Sequence, residues 1–405
     1  MATPKLRFKE FDGDWTSKQL GKIIGVSSAS RVFKEQWQDS GVPFFRTSDV
    51  VSIFKNKENE KAYISLELFE ELAKKSGKIK QGDLLVTGGG TIGIPYLVPN
   101  DQPLYFKDAD LLWMKSSGIV EGSFLYNFFI SPKFREYLKS ISHTGTISHF
   151  TIEQAKATPF GFPSKEEQTK IASFLSTVDE KISQLTQKHE LLSQYKQGMM
   201  QKLFSQQIRF KADDGSEFGE WEEVALSKVS DVRDGTHDSP SYVKDGYPLI
   251  TSKNLKNGKL DLTDINLISE DDYLNINKRS AVNIGDIIFG MIGTIGNPVL
   301  LNSDGFAIKN VALIKEKDEL LNIYLIHYLN SSFFAKQVAL LNAGNTQKFL
   351  ALGQIRSLSI HKPQLAEQTK IANFLSSIDQ KIEVVAQQIE QAKQWKKGLL
   401  QQMFV

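Results

Sequence analysis

The stretch Glu167–Ser176 reads EQTKIASFLS, and nearly the same ten residues return at Glu367–Ser376 as EQTKIANFLS. Nine of the ten positions are identical, and the copies lie 200 residues apart. Each copy continues in register for about thirty more residues and ends close to a phenylalanine, Phe204 or Phe404. A duplication of this width predicts two similar units, each closed by the same long segment.

Both long segments carry apolar residues at heptad spacing, which is typical of a coiled coil. At 1.5 Å per residue, some forty residues form a helix of about 60 Å. Because both copies keep the pattern in step, we predict that the two helices pair with each other; an ordinary amphipathic helix on a globular core is the alternative. Lys196 and Lys396 interrupt the two patterns at matched positions. The predicted coiled-coil and partner-binding residues are Ile171, Phe174, Leu175, Val178, Ile182, Leu185, Ile371, Phe374, Leu375, Ile378, Ile382, Val385 and Ile389.

Composition narrows the class of protein. With 405 residues and 40% apolar content, the chain is long enough for two globular units besides the helices. It has no cysteine, which excludes disulfides and thiolate metal sites and fits a reducing compartment. We find no signal peptide and no uninterrupted apolar span, and therefore expect a soluble, cytoplasmic protein without a membrane partner. A net charge of +2 means that any DNA-binding role depends on local basic patches or on a partner protein.

The two halves also share short motifs outside the helices. Gly-Asp followed by three apolar residues and then Gly-Thr-Ile-Gly spans Gly82–Gly93 and returns at Gly285–Gly296. Gly-Asp before a short apolar run is typical of a tight turn that feeds a buried strand. We therefore predict an α+β fold with a pseudo-two-fold internal repeat. The predicted boundaries are a globular domain at 1–163, a central helix at 164–206, a second globular domain at 207–363 and a C-terminal helix at 364–405.

Sequence motifs for catalysis and cofactor binding are weak. Gly88–Gly93 formally matches the dinucleotide fingerprint G-x-G-x-x-G, but Pro95 stands where a helix should begin, and the second copy loses the first required glycine. We interpret both copies as turns. The chain has no P-loop and no Asn-Pro-Pro methyltransferase motif, and its six histidines lack metal-ligand spacing. We expect no catalytic residue, cofactor or metal; a self-contained enzyme built on the glycine loops is the rival interpretation.

Polar, glycine-flanked loops at corresponding places in the two halves are candidates for DNA contact. Arg and Lys suit guanine, and Asn and Gln suit adenine, in the major groove. The candidate DNA-binding residues are Arg46, Thr47, Ser48, Thr91, Thr144, Thr146, Ser148, Thr236, His237, Ser239, Thr251, Ser252, Lys253, Asn254, Thr294, Asn345, Thr346, Gln347 and Lys348.

Two unlike globular units, each followed by a nearly identical helix headed by Glu-Gln-x-x-Ile-Ala-x-Phe-Leu, resemble the specificity subunit of Type I restriction–modification enzymes. The resemblance implies two target recognition domains, each reading one half of an asymmetric split sequence in double-stranded DNA. It implies an antiparallel coiled coil that sets the spacer and docks two methyltransferase subunits, with motor-nuclease subunits joining for cleavage. S-adenosylmethionine and ATP are then expected on those partners. A non-catalytic coiled-coil scaffold that binds proteins only is the alternative.

Overall fold

A computed structural model describes residues 3–141, 149–293, 295–342 and 349–405. Its contacts divide the chain into unit 1, residues 1–186 and 387–405, and unit 2, residues 187–386. The two long helices are α6 (Lys165–Phe204) and α12 (Leu365–Met403). Each unit therefore contains the first part of one long helix and the last part of the other.

The remaining elements of unit 1 alternate short strands and helices. They are β1 (Thr16–Gln19), β2 (Gly25–Ser27), β3 (Val42–Phe45), α1 (Thr47–Phe54), β4 (Ala62–Ile64), α2 (Leu66–Ser76), β5 (Leu84–Thr87), β6 (Pro95–Leu97), β7 (Tyr105–Phe106), β8 (Leu111–Lys115), α3 (Gly122–Ile130), α4 (Pro132–Ser140), α5 (Ile152–Ala157) and β9 (Pro159–Phe162).

Unit 2 follows the same order with small insertions. Its elements are β10 (Glu222–Ala225), α7 (Leu226–Val229), β11 (Asp231–Asp234), β12 (Tyr242–Val243), β13 (Tyr247–Ile250), β14 (Leu255–Lys256), β15 (Lys259–Leu260), β16 (Asn266–Ile268), α8 (Glu270–Ser280), β17 (Ile287–Gly290), β18 (Gly296–Leu300), β19 (Ala307–Ile308), β20 (Val311–Lys315), α9 (Asn322–Leu329), α10 (Ser332–Asn342), α11 (Leu352–Arg356) and β21 (Ser359–Lys362).

The sheets of the two units correspond, except that unit 2 has one more strand, β12, in its mixed sheet. Unit 1 has an antiparallel sheet in the order β2-β8-β5-β6, a mixed sheet β4-β3-β7 and a ribbon β1-β9. Unit 2 has the matching sheets β11-β20-β17-β18, β12-β16-β13-β19 and β10-β21, with an additional hairpin β14-β15. This arrangement confirms the predicted α+β fold and the internal repeat.

The predicted Gly-Asp turns lie before the buried strands β5 and β17. Gly82 has φ +85° and Gly285 has φ +90°, the region that favours glycine. In unit 1, the buried Asp83 carboxylate accepts hydrogen bonds from the Trp113 indole at 2.8 Å and from the Ser116 amide at 2.6 Å. Asp286, its counterpart, instead accepts from the Lys315 ammonium at 2.6 Å. Both aspartates thus join the turn to the strand beside it.

The duplicated Glu-Gln pair lies in the first turn of each long helix and is buried. Glu167 accepts two hydrogen bonds from the Arg7 guanidinium, both at 2.7 Å, and one from the Trp15 indole at 3.3 Å. Unit 2 repeats these contacts with Glu367, Arg209 and Trp221. A buried carboxylate requires such partners, because leaving it unpaired is costly.

The side chains of the neighbouring glutamines bind backbone atoms of further segments. Gln168 accepts from the Glu121 amide at 2.9 Å and donates to the carbonyls of Ile119 and Pro163, both at 3.0 Å. Gln368 makes the same three bonds in unit 2, at 2.8–2.9 Å. The near-identity of the two copies therefore follows from a hydrogen-bonded hub in each unit, a role that the heptad pattern alone does not indicate.

The long helices pack antiparallel in each unit. In unit 1, the start of α6 and the end of α12 share one apolar core, and Lys396 pairs with Asp179 at 2.6 Å. In unit 2, the end of α6 packs on the start of α12, and Lys196 pairs with Asp379 at 2.6 Å. The predicted pairing is confirmed, and the two lysines that interrupt the heptads bind carboxylates of the opposite helix. The predicted heptad residues that are buried are Ile171, Leu175, Val178, Leu185, Ile371, Leu375, Ile378, Val385 and Ile389, while Phe174, Phe374, Ile182 and Ile382 are partly buried.

The last turn of each long helix completes a globular core. Phe404, the residue directly after α12, packs on Phe124 in unit 1 with ring centroids 5.1 Å apart. Phe204, at the end of α6, packs on Tyr328 in unit 2 at 5.3 Å. Both phenylalanines are at most 5% exposed. Each core therefore depends on a residue far away in sequence.

Candidate nucleic-acid interface

In unit 1, polar loops gather at one end of the sheet β2-β8-β5-β6. Strand β5 ends at Thr87 opposite Leu111, the first residue of the antiparallel strand β8. The Gly88 amide donates to the Asp110 carbonyl at 2.8 Å, and the Gly88 carbonyl accepts from the Phe150 amide at 2.7 Å. We call residues 46–48, 88–93, 107–110 and 149–150 loop cluster 1.

The three residues of the Arg46–Ser48 segment in loop cluster 1 differ in their exposure to solvent. The Arg46 guanidinium is bound to Asp49 at 2.8 Å, which raises the pKa of Arg46, and it also donates to the Glu60 carbonyl. Thr47 donates to the Asp110 carbonyl at 3.3 Å. Ser48 is exposed and accepts from Asn59 at 3.2 Å. Arg46 therefore holds the loop, and Ser48 is the member most open to a ligand.

The glycine loop of unit 1 is a turn between two strands. Gly93, at φ +70°, donates its amide to the Thr87 carbonyl at 2.7 Å, and the chain then enters β6 instead of a helix. A Cβ at Gly93 would lie 2.7 Å from Leu138 of α4, so the turn packs closely on that helix. Thr91, at the tip, is exposed. The prediction of a turn is confirmed.

Unit 2 gathers its loops at the same end of the corresponding sheet. The Thr236 amide donates to the Ile308 carbonyl at 2.9 Å, and the Thr236 carbonyl accepts from the Asn310 amide at 3.1 Å. Ser252 donates to the Asn310 carbonyl at 3.4 Å, as Thr47 does to Asp110 in unit 1. We call residues 235–239, 251–254, 291–293, 309–310 and 349–350 loop cluster 2.

His237 is an exposed cationic candidate in loop cluster 2. Its two ring nitrogens lie 2.8 Å from the Asn310 side-chain oxygen and 2.9 Å from the Asp234 carboxylate. Donation to both oxygens requires the protonated ring. Asn310 and Asp234 raise the pKa of His237, with burial and Arg279 opposing them. Both contacts therefore favour the protonated form of His237 in this surface loop.

The other candidates of unit 2 divide into exposed and buried groups. Ser239 is exposed and accepts from the Lys309 ammonium at 2.7 Å. Lys253 is exposed, 3.4 Å from Asp264. Asn254 is only 2% exposed; its amide donates to two carbonyls, and its oxygen accepts from the Thr251 amide and hydroxyl. Such complete internal bonding fits a residue that shapes the loop and does not reach a base.

Several predicted contacts lie outside the described residues: Thr144, Thr146, Ser148, Thr294, Asn345, Thr346, Gln347 and Lys348. The residues that follow the two longer gaps belong to the loop clusters. His149 bridges to Gly89 in unit 1, and Phe349 bridges to Ile292 in unit 2. DNA contact by every candidate stays a prediction.

The loop clusters also contain residues that the sequence analysis does not predict as candidates: Asp110, Lys309 and Asn310. Asp110 and Asn310 occupy matched positions directly before β8 and β20, and Asn310 has φ +55°. Among the described residues there is no group of three or more potential metal ligands and no helix long and apolar enough to cross a membrane.

Comparison with known proteins identifies the family. The Type I restriction modification DNA specificity domain matches twice, at residues 12–194 and 219–394. The chain belongs to this family. Each match covers most of one globular half together with most of the long helix that follows it, so the internal repeat consists of two specificity domains.

Individual relatives agree with the family match. The Type I restriction enzyme MjaVIII specificity subunit of Methanocaldococcus jannaschii is 29% identical over 297 residues, 68% of each chain. A putative specificity subunit of the same organism, MjaX, is 26% identical and covers 98% of this chain and 94% of its own length. The crystal structure of the S subunit from M. genitalium has the same fold, with a TM-score of 0.61 at 17% identity over 100% of this chain and 99% of that one.

Proposed function

We propose that this specificity-domain protein is the non-catalytic DNA-reading subunit of a Type I restriction–modification complex, in which each unit reads one half of a split target. The observation that carries the proposal is the matched pair of loop clusters at corresponding sheet ends. The family match over both globular halves supports DNA specificity and disfavours the scaffold alternative.

The side chains of the two loop clusters differ although the backbone arrangement corresponds. Arg46, Thr47 and Asp110 in unit 1 match Thr251, Ser252 and Asn310 in unit 2. Donor and acceptor patterns of side chains determine which base edges are bound. Two loop clusters with different side chains therefore read half-sites of different base sequence, and the target is asymmetric.

The second part of the proposal is that the paired helices bind the partner subunits. Tyr195 on α6 and Trp395 on α12 occupy matched repeat positions and are 51% and 54% exposed. Large exposed aromatics are favoured anchors of protein interfaces. We assign them to the docking of two methyltransferase subunits, with motor-nuclease subunits joining for cleavage. S-adenosylmethionine and ATP then belong to those partners, and the helices set the spacer between half-sites.

The test is a map of methylated adenine in DNA from cells that carry the neighbouring methyltransferase, with and without this chain. A split motif with two unlike halves, present only with the chain, supports the proposal. Unchanged methylation, or a continuous motif, overturns it in favour of the scaffold alternative.

Variants in single loops test the assignment of halves. Replacing Thr346, Gln347 and Lys348 together with alanine should relax one half-site only. The matched replacement of Thr144, Thr146 and Ser148 should relax the other half. If both replacements leave every position of the motif unchanged, these segments do not read bases.

A further inference from the structure

Arg135 on α4 differs from most arginines of the chain in its surroundings. It is half-buried, and its guanidinium donates one hydrogen bond, at 3.3 Å, to the Ile92 carbonyl in the glycine loop of cluster 1. By contrast, Arg7, Arg209 and Arg233 each bind a carboxylate at 2.6–2.8 Å.

No carboxylate pairs with Arg135 among the residues that the structure describes. Residues 142–148, which follow α4, contain no aspartate or glutamate that would serve. Burial lowers the pKa of Arg135, whereas carboxylates raise the pKa of Arg7 and Arg209. A guanidinium has five donors and stays charged in proteins, so most of the donors of Arg135 are available to an anion.

The surroundings hold Arg135 beside loop cluster 1. Gly93 packs on α4 so closely that a Cβ there would lie 3.4 Å from the Arg135 guanidinium. The exposed Thr91 lies on the same turn as the Ile92 carbonyl that Arg135 binds. Arginine matches phosphate geometry through two parallel hydrogen bonds.

We propose that Arg135 binds a backbone phosphate of DNA at the half-site of unit 1. The inference rests on the proposed DNA-reading function and adds a residue that positions the duplex without reading a base. The corresponding residue of unit 2 is Ala335, so this contact is present at one half-site only.

The experiment measures binding of the assembled methyltransferase complex to a duplex that contains the mapped split target, from 50 to 200 mM salt. One phosphate contact contributes about 0.9 to the slope of log affinity against log salt. Arg135→Gln should therefore lower that slope by about 1, and its loss of affinity should be about threefold larger at 50 mM than at 200 mM. Arg135→Lys, which keeps the charge, should retain the slope.

Lys133→Gln is the matched control, because it removes one exposed positive charge from a different face of α4. It should leave the slope unchanged. Ethylation interference should show one phosphate on the unit 1 side that is sensitive with the wild-type chain and insensitive with Arg135→Gln.

The outcomes separate this inference from the proposed function. If the wild-type complex does not prefer the target over a scrambled duplex, the proposed function fails. If it does prefer the target but Arg135→Gln keeps the salt slope and the interference pattern, only the phosphate assignment fails. A changed base preference in Arg135→Gln would make Arg135 a base reader and would also overturn the assignment.

Discussion

Acidification should destabilise unit 2 through His327. This side chain on α9 is 4% exposed, with one ring nitrogen 3.0 Å from the Ser376 hydroxyl and the other 3.8 Å from the Asp379 carboxylate. Burial, with Lys196 adding to it and Asp379 opposing it, lowers the pKa of His327 from 6.5 to about 4. The folded unit therefore holds the histidine neutral.

The sign and size of the effect follow from proton linkage. Since the unfolded chain binds a proton near pH 6.5 and the folded chain only near pH 4, the unfolded state gains stability as pH falls between these values. The free energy of unfolding of unit 2 should fall by about 2 kcal/mol from pH 7 to pH 5, and by about 3 kcal/mol when the fall is complete.

Hydrogen exchange of peptides from α9, corrected for the intrinsic exchange rate, measures this free energy for unit 2 separately. The reference variant is His327→Asn, because Asn127 occupies the matching buried position of unit 1. Titrations of other groups cancel in the difference between the wild type and this variant. The reasoning is refuted if that difference does not change from pH 7 to pH 5.

Three further predictions concern the cores, the helix hubs and loop cluster 2. Phe404→Ala should destabilise unit 1 by about 3–5 kcal/mol and leave unit 2 unchanged, whereas Phe204→Ala should do the reverse, as exchange of peptides from each unit would show. Glu367→Gln should destabilise unit 2 by about 2 kcal/mol, because the half-buried Arg209 guanidinium loses the carboxylate that it binds at 2.8 Å; a denaturation curve that matches wild type would contradict this. Target affinity should weaken as pH rises through the raised pKa of His237, since the positive charge is lost; His237→Asn should remove that dependence, measured from pH 6 to 8.

The repeat and the helical heptads made much of the fold predictable. The nearly identical stretches indicated two units, and the heptads indicated paired helices, because both signals are repeated in the sequence. The Gly-Asp turns were also recognisable, since a positive φ at Gly82 favours glycine over other residues.

The composition of the loop clusters was less predictable, because strand pairing brings distant residues together. Thr236 bonds to Asn310, 74 positions later, through backbone atoms that leave no mark on residue type. Asn254 matched the chemistry of a base reader, yet its polar atoms are used inside the loop. For the candidates that lie outside the described ranges, DNA contact remains a prediction from sequence.

The contrast between hubs and loop clusters explains how one fold can serve different targets. Glu167 and Gln168 act through their side chains, so replacing either residue would break the hub. In loop cluster 1, the strand ends are instead joined by backbone bonds, from the Gly88 amide to Asp110 and from the Phe150 amide to Gly88. Because backbone bonds tolerate changes of side chain, the polar groups at the sheet ends are free to differ between the two units while the helices stay in place. Recognition can therefore change without loss of the framework that presents it.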